Sequence, residues 1–227
     1  MRRILLLLMG MSLGLALSVY TGAVEQRTLA QAPAETEAAA AVFPAPVPGT
    51  SLTVLGKGYY EGPFLEAETE EHVFDIAALI VRNDGEARLD GEIRLLCGGE
   101  EYRFAFTGLG AGETVMALET QARHWGDGAL TELTGSASPE ERQALGPEEV
   151  LLEEAGDITL RLTNLTDRTL EDLELWFKSY DSGSGIYIGG IAYRLPLEPI
   201  APGESIEVSP YRYVQGYSRV IGVFPGA

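Results

Sequence analysis

Apolar and polar residues alternate in short runs along most of the chain. Ile76, Ala78 and Ile80 form one such set and Ile158, Leu160 and Leu162 another; Ile93 with Leu95, and Leu173, Leu175 and Phe177, continue the pattern. A period of two places every second side chain on one face of a strand, so each run reads as a strand half turned toward a core. Further strands are expected over 52–55, 101–107, 114–118, 150–153, 186–194, 205–208 and 217–224. Short strands at this spacing, without long helical periodicity, indicate an antiparallel sandwich and not a helical or α/β fold.

The pattern occurs twice. DIAALIVRNDGEARLDGEIRLL, starting at Asp75, is followed by LGAGETVMAL from Leu109; DITLRLTNLTDRTLEDLELWF, starting at Asp157, is followed by IAPGESIEVS from Ile200. The only asparagines of the chain, Asn83 and Asn164, fall at the same point of each copy. Asparagine ends a strand well because its side chain bonds the local backbone and tolerates positive φ, so both are read as turn formers. Gly112 and Gly203 are expected to close the turns before each copy's last strand.

The fold class that follows is all-β: two small immunoglobulin-like sandwiches, residues 51–125 and 150–227, separated by an acidic connector at 126–149. Within the connector, Ser138-Pro139-Glu140-Glu141 has the form of a capping box with proline at the first helical position, and Gly146-Pro147 is a stop, so one short helix is expected there. Modules of about 75 residues without a disulfide bury a modest share of their surface and are expected to lean on one another.

Ahead of the modules, Met1-Arg2-Arg3 precedes an uncharged, Leu-rich stretch from Ile4 to Val24, read as a signal peptide or membrane-anchor helix. Thr21-Gly22-Ala23 offers the small residues a signal peptidase reads, and about 21 apolar residues also suffice to span a bilayer. With Arg2 and Arg3 retained inside, both alternatives make the body extracytoplasmic: anchored by residues 4–24, or secreted after cleavage near Ala23. No cysteine follows the apolar stretch, which argues against a lipoprotein anchor. Residues 25–50, dominated by Ala, Pro and Glu, are read as a disordered spacer.

Charge narrows the partners. The formal net charge is −18, with the acid concentrated in the first module and the connector, and such a field repels phosphate backbones and anionic lipid; nucleic acid is not expected, and membrane contact only through the N-terminal segment. Cys97 is the single cysteine, which excludes an intramolecular disulfide and a thiolate zinc site and leaves a half-buried strand residue as its role. His72 and His124, the only histidines, have no ligand spacing. Neither the acid run Glu61, Glu66, Glu68, Glu70, Glu71 nor the loop at Asp181 has the spacing that wraps oxygens around calcium, so no metal or cofactor is expected. No serine elbow is present, and no carboxylate pair stands out among 34 acids.

The cluster that does stand out is aromatic. Tyr187, Tyr193, Tyr211, Tyr213 and Tyr217 crowd the second module as a candidate binding surface, with core packing as the other reading. Tyr187 and Tyr193, six apart on one expected strand, are placed on a common face, while Gly189-Gly190 between them signals a bulge or a close backbone approach.

The repeat resembles the immunoglobulin-like modules of bacterial surface proteins, notably the bacterial cell-adhesion-related domain and the FxLyD-type extracellular domain. The residues that carry the likeness are Leu162 to Asp167, the strand Leu173 to Asp181 with its Gly-rich turn, and Pro202-Gly203-Glu204-Ser205. As a whole the chain also resembles exported two-module proteins of Gram-positive gut anaerobes, in GYYEGPF from Gly58, GGIAYR from Gly189 and GYSRV from Gly216. None of these groups supplies catalytic residues. The resemblance and the residues together lead to an expected non-enzymatic surface protein that binds a cell-wall glycan or a protein partner. A structural subunit of an envelope assembly is the alternative, and a hydrolase of envelope polymers the weakest; the oligomeric state stays open.

Overall fold

The first repeat forms strands where the alternation predicts them, but the face of its first set is reversed: Ala77, Leu79 and Val81 enter the core, and Ile76, Ala78 and Ile80 pack on the other side of the strand. In the computed structural model, which describes residues 42–67 and 71–226, its strands are β1 (Ala45–Pro46), β2 (Leu52–Pro63), β3 (His72–Asn83), β4 (Leu89–Cys97), β5 (Glu100–Leu109), β6 (Thr114–Leu118) and β7 (Leu130–Pro139). The second repeat supplies β8 (Val150–Gly156), β9 (Thr159–Asn164), β10 (Leu173–Asp181), β11 (Ile186–Leu197), β12 (Ser205–Val208) and β13 (Ser218–Pro225). The apolar stretch at 4–24 and most of the expected spacer lie outside the described residues.

The two copies share not only a motif but a register. Arg82 and Val81 face Thr114 and Val115 across β3 and β6, as Thr163 and Leu162 face Ser205 and Ile206 across β9 and β12. Leu52 stands opposite Asn83, as Val150 stands opposite Asn164. Strands β2, β3, β4, β5, β6 and β7 therefore correspond in order to β8, β9, β10, β11, β12 and β13.

The two sandwiches are joined through a common sheet. One seven-stranded sheet, in the order β1-β2-β3-β6-β11-β10-β13, runs through both copies, and two three-stranded sheets, β5-β4-β7 and β12-β9-β8, complete the layers. The seam is a short parallel pairing of β6 with β11, Val115 beside Tyr187 and Met116 beside Ile188. Every other strand pair is antiparallel. The first core lies between β2-β3-β6 and β5-β4-β7 and holds Val54, Leu79, Val81, Ile93, Leu95, Phe104 and Val115. The second lies between β10-β11-β13 and β12-β9-β8 and holds Leu160, Leu162, Leu173, Leu175 and Phe177. Tyr187 and Tyr180 belong to the first core, whereas Phe177, three positions along β10, belongs to the second, so the two cores sit on opposite faces of the common sheet. Full burial of such side chains stabilises by about 1.5–3 kcal/mol each, which is how a chain without disulfides holds together.

The asparagines are the fasteners of each copy. Asn83 is fully buried; its Nδ2 donates to the carbonyls of Ala87 (2.8 Å), Leu109 (3.0 Å) and Gly110 (3.1 Å), and its Oδ1 accepts from the Gly85 amide (2.9 Å). Asn164 is equally buried and donates to Arg168 (2.7 Å) and Ile200 (2.8 Å) while accepting from the Thr166 amide (2.8 Å). Gly112 and Gly203, at φ 70° and 72°, donate to the Asn83 and Asn164 carbonyls and supply the positive φ of the turn. The asparagines themselves are absent from the positive-φ positions. Their task is to tie two loops by side chain, not to bend the backbone. Asn164→Ala is expected to cost about 2 kcal/mol in urea denaturation, and Asn164→Asp more, because a carboxylate cannot donate to the two carbonyls.

Three expectations about the connecting segments are overturned. The helix at 138–141 does not form: Ser138 and Pro139 end β7, paired to Asp90 and Leu89. Residues 140–146 then run without regular structure, because the capping box has no amphipathic run behind it to bury. The Arg142 guanidinium instead lies 4.5 Å over the Trp176 ring and pairs with Glu140 (3.0 Å) and Glu174 (3.2 Å). The connector is thus in large part a strand of the first sandwich. The spacer also ends earlier than residue 50, since Ala45 and Pro46 pair with β2 and Val47 is buried in the first core.

Candidate functional site

Strand β11 crosses the seam with an irregularity. Along β10 the register moves two residues, Phe177 to Ser179, while along β11 it moves five, Tyr193 to Ile188. The odd difference turns the two ends of β11 to opposite faces, so Tyr187 and Tyr193 do not share one. Gly189, at φ 81°, and Gly190, which lies against the Ala105 carbonyl of β5, make the bulge that their sequence announces.

The tyrosine cluster therefore divides. Tyr187 is 3% exposed and Tyr213 2%, and both are core residues, which removes them from the binding surface. Their hydroxyls tie the scaffold: Tyr187 donates to Glu113 Oε1 at 3.0 Å and Tyr213 to Glu154 Oε1 at 3.2 Å. Burial raises the pKa of both, that of Tyr213 to about 12. Tyr211 and Tyr217 are 66% and 74% exposed, and Tyr193 is partly buried. Only Tyr193 and Tyr211 come together.

They line a groove of about 530 Å³ on the seam, closed on one side by Leu65 and Glu66 and on the other by Pro210, Tyr211 and Arg212, with Phe177 and Ile191 beneath. The far wall is a turn in which the Tyr213 amide bonds the Pro210 carbonyl at 3.0 Å and Arg212 takes φ 69°. A turn of this shape ordinarily carries glycine or asparagine there, and arginine is held at a cost of roughly 1 kcal/mol. The strain puts the guanidinium 5.7 Å over the Tyr193 ring and 5.5 Å over the Tyr211 ring, with Nη1 donating to the Tyr193 hydroxyl at 2.9 Å.

The near wall rests on Glu66. Where β6 and β11 part beyond their short pairing, its carboxylate fills the gap, accepting from the amides of Gly190 (2.7 Å), Leu118 (3.0 Å) and Ile191 (3.2 Å). Burial raises the pKa of Glu66, and the three amides and Lys178 oppose that rise. In the sequence Glu66 is one acid of a run and Arg212 a lone base between tyrosines, so neither announces its place. The only hint is the triplet Tyr211-Arg212-Tyr213, in which an arginine sits among aromatics it could stack on.

Elsewhere the candidate groups have structural partners. His124 Nδ1 lies 2.9 Å from the Asp75 carbonyl, and the His72 ring stacks 4.6 Å from Phe74. Asp181 accepts from Gly183 (3.0 Å) and Ser184 (2.5 Å) of its own turn, and these bonds hold its pKa low. Cys97 is buried at the end of β4. Among the described residues no three His, Cys, Asp or Glu side chains are grouped to hold a metal ion.

No family model matches the chain, and none of the curated proteins is similar to it. The groove is accordingly read from its own chemistry. Two tyrosine rings, one of them open to solvent, line the groove beside the Arg212 guanidinium, while the Glu66 carboxylate at its border is held by three amides. That set suits a ring with apolar faces and hydroxyl or carboxylate edges, bound by stacking and by a few directed hydrogen bonds.

Proposed function

We propose that the chain is a non-enzymatic, extracytoplasmic binding protein whose groove holds a sugar ring of a cell-wall glycan against Tyr193 and Tyr211. The observation that carries this reading is Arg212, kept at an unfavourable φ so that its guanidinium lies over both rings. Arg2 and Arg3 ahead of an uncharged stretch support the extracytoplasmic placement, and a net charge of −18 supports a ligand other than nucleic acid or anionic lipid.

The test is binding of the full-length chain to purified, solubilised cell-wall glycan fragments. Tyr211→Ala removes an exposed ring and leaves both cores intact, so the fold is expected to persist while affinity falls about tenfold, the loss of roughly 1.4 kcal/mol of stacking. Equal binding by the variant, or no binding by the parent chain, rejects the reading. A second reading, a subunit of an envelope assembly, is favoured by one observation of its own: among the described residues β12 is an edge strand of its sheet.

A further inference from the structure

The correspondence between the copies points to an open edge among the described strands. In the first copy the outer edge of β6 is taken by β11, which places Tyr187 beside Val115 and Ile188 beside Met116. The Tyr187 side chain closes the open side of the first core, and its hydroxyl reaches Glu113 at 3.0 Å. In the second copy the equivalent strand is β12, with Glu204, Ile206 and Glu207 at the positions of Glu113, Val115 and Met116. Among the described residues β12 pairs with β9 alone and ends its sheet. Where Tyr187 plugs the first sandwich, the second has a groove of about 410 Å³, lined by Leu195 and Leu197 of β11 and by Ile206 and Val208 of β12.

From this we infer that β12 receives an extended strand from another protein, laid parallel to β12 as β11 is laid along β6. The residue beside Ile206 is aromatic, because it must fill the groove over Leu195 and Leu197 and bring a donor toward Glu204. The residue beside Glu207 is basic. At that point the first copy has Ile80 and Met116 on a face covered by Phe64, Leu65 and Ile188, whereas the second has the exposed pair Arg161 and Glu207, 2.6 Å apart. An uncovered face with a carboxylate at the edge favours a cation on the incoming strand. Backbone bonds along an open edge supply the affinity and the two side chains the selectivity.

Among the described residues a second copy of this chain offers no free strand of this kind. The strand edge that would serve is that of β11, already joined to β6, and its counterpart β5 is closed by residues 119–120: the Thr120 amide bonds the Arg103 carbonyl at 2.9 Å and Phe104 bridges to Glu119.

The chain carries a natural probe for the open edge. A fluorescent peptide of residues 184–194, which includes Tyr187 and Ile188, is titrated with the full-length chain in mild detergent, beside the same peptide with Ile188→Lys. Both peptides are expected to bind saturably, the lysine peptide about threefold or more tighter, a modest charge-pair effect. In the chain, Glu207→Lys, on the exposed face, is expected to reverse that preference. Ile206→Asp, verified as folded by circular dichroism, is expected to weaken both peptides about tenfold or more, as for a lost apolar anchor. No binding at millimolar peptide overturns the inference, as does binding that neither variant changes. Self-association of the chain abolished by Ile206→Asp also overturns it, since the occupant would then be a second copy. The experiment does not involve the glycan groove, so its outcome is separate from that of Tyr211→Ala.

Discussion

Gly190→Ala is expected to lower stability by about 3 kcal/mol or more, well above the ordinary effect of adding one methyl group to a sheet. A Cβ at residue 190 would stand 1.7 Å from the Ala105 carbonyl oxygen and 2.9 Å from its carbon, both backbone atoms of β5. Neither can swing aside as a side-chain tip would, so β5 and β11 must separate. The separation costs the bond from the Ala192 amide to Thr107 Oγ1 (2.7 Å) and displaces the Gly190 amide from Glu66 (2.7 Å). Gly190 is not among the positive-φ glycines, so the effect is one of contact alone. The matched control is Gly156→Ala, whose added Cβ meets the Thr159 Cβ at 3.7 Å, an ordinary contact, and whose cost is expected to stay within about 0.5 kcal/mol. Urea denaturation of both variants decides the matter. If Gly190→Ala unfolds at the midpoint of the parent chain, the close approach of β5 to β11 is wrong, and with it the seam on which the groove depends. A second transition, appearing only in this variant, would show the two copies melting apart.

How far the sequence reveals this arrangement depends on whether a feature is local. The alternation over Leu160 and Leu162, the ends of β6 and β12, and the matched asparagines are local, and they are read directly. Gly189-Gly190 likewise announces the bulge it makes. The joining of the copies into one sheet is not local. It depends on Val115 meeting Tyr187, a pairing whose only trace is that Ile76, Ala78, Ile80, Met116 and Leu118 are apolar on the face of the first copy away from its core. At two of the matching positions the second copy has Arg161 and Glu207, and that contrast was available as a sign that one copy is covered and the other open. β7 is not legible because Thr134, Gly135, Ser136 and Ala137 are small and weakly patterned. Gly135 is needed there because a Cβ would stand 2.7 Å from Val47 Cγ1. The groove is half legible: its tyrosines stand out in the sequence, but a three-residue excess in β11 reverses the face of Tyr187, and counting by twos along the strand cannot reveal it.

Lys178 provides the remaining large effect, and it depends on pH. The residue is fully buried on β10 at the seam, and among the described residues its Nζ has no hydrogen-bond partner. Burial lowers its pKa from 10.5 to about 8, against the pull of Glu66, Glu113 and Asp90 and with a smaller push from Arg88; Tyr187 offers only a ring, 5.5 Å away. Below pH 8 the amine is charged in both folded and unfolded chains, and the folded state carries the cost of the buried ammonium. Between pH 8 and 10.5 the unfolded chain holds a proton that the folded one has released, so stability rises with pH. The slope approaches 1.4 kcal/mol per pH unit and amounts to about 2 kcal/mol between pH 7.5 and 9.5. Above pH 10 the sign reverses, because Tyr187 and Tyr213, raised by burial, stay neutral in the folded state while their unfolded counterparts ionise. Lys178→Met keeps the length of the side chain and removes the charge. It is expected to stabilise the protein at pH 7 by about 1–3 kcal/mol and to flatten the rise between pH 8 and 9.5, both read from urea midpoints across that range. A parent chain whose stability is level from pH 7.5 to 9.5 would mean that the amine finds a partner or water. Retaining such a residue at the cost of stability is reasonable only if the seam gains from it, and the seam is where Asp90 and Glu113 of the first copy face Lys178 of the second. The buried amine thereby favours the one docking that surrounds it with carboxylates over looser alternatives that leave the copies apart.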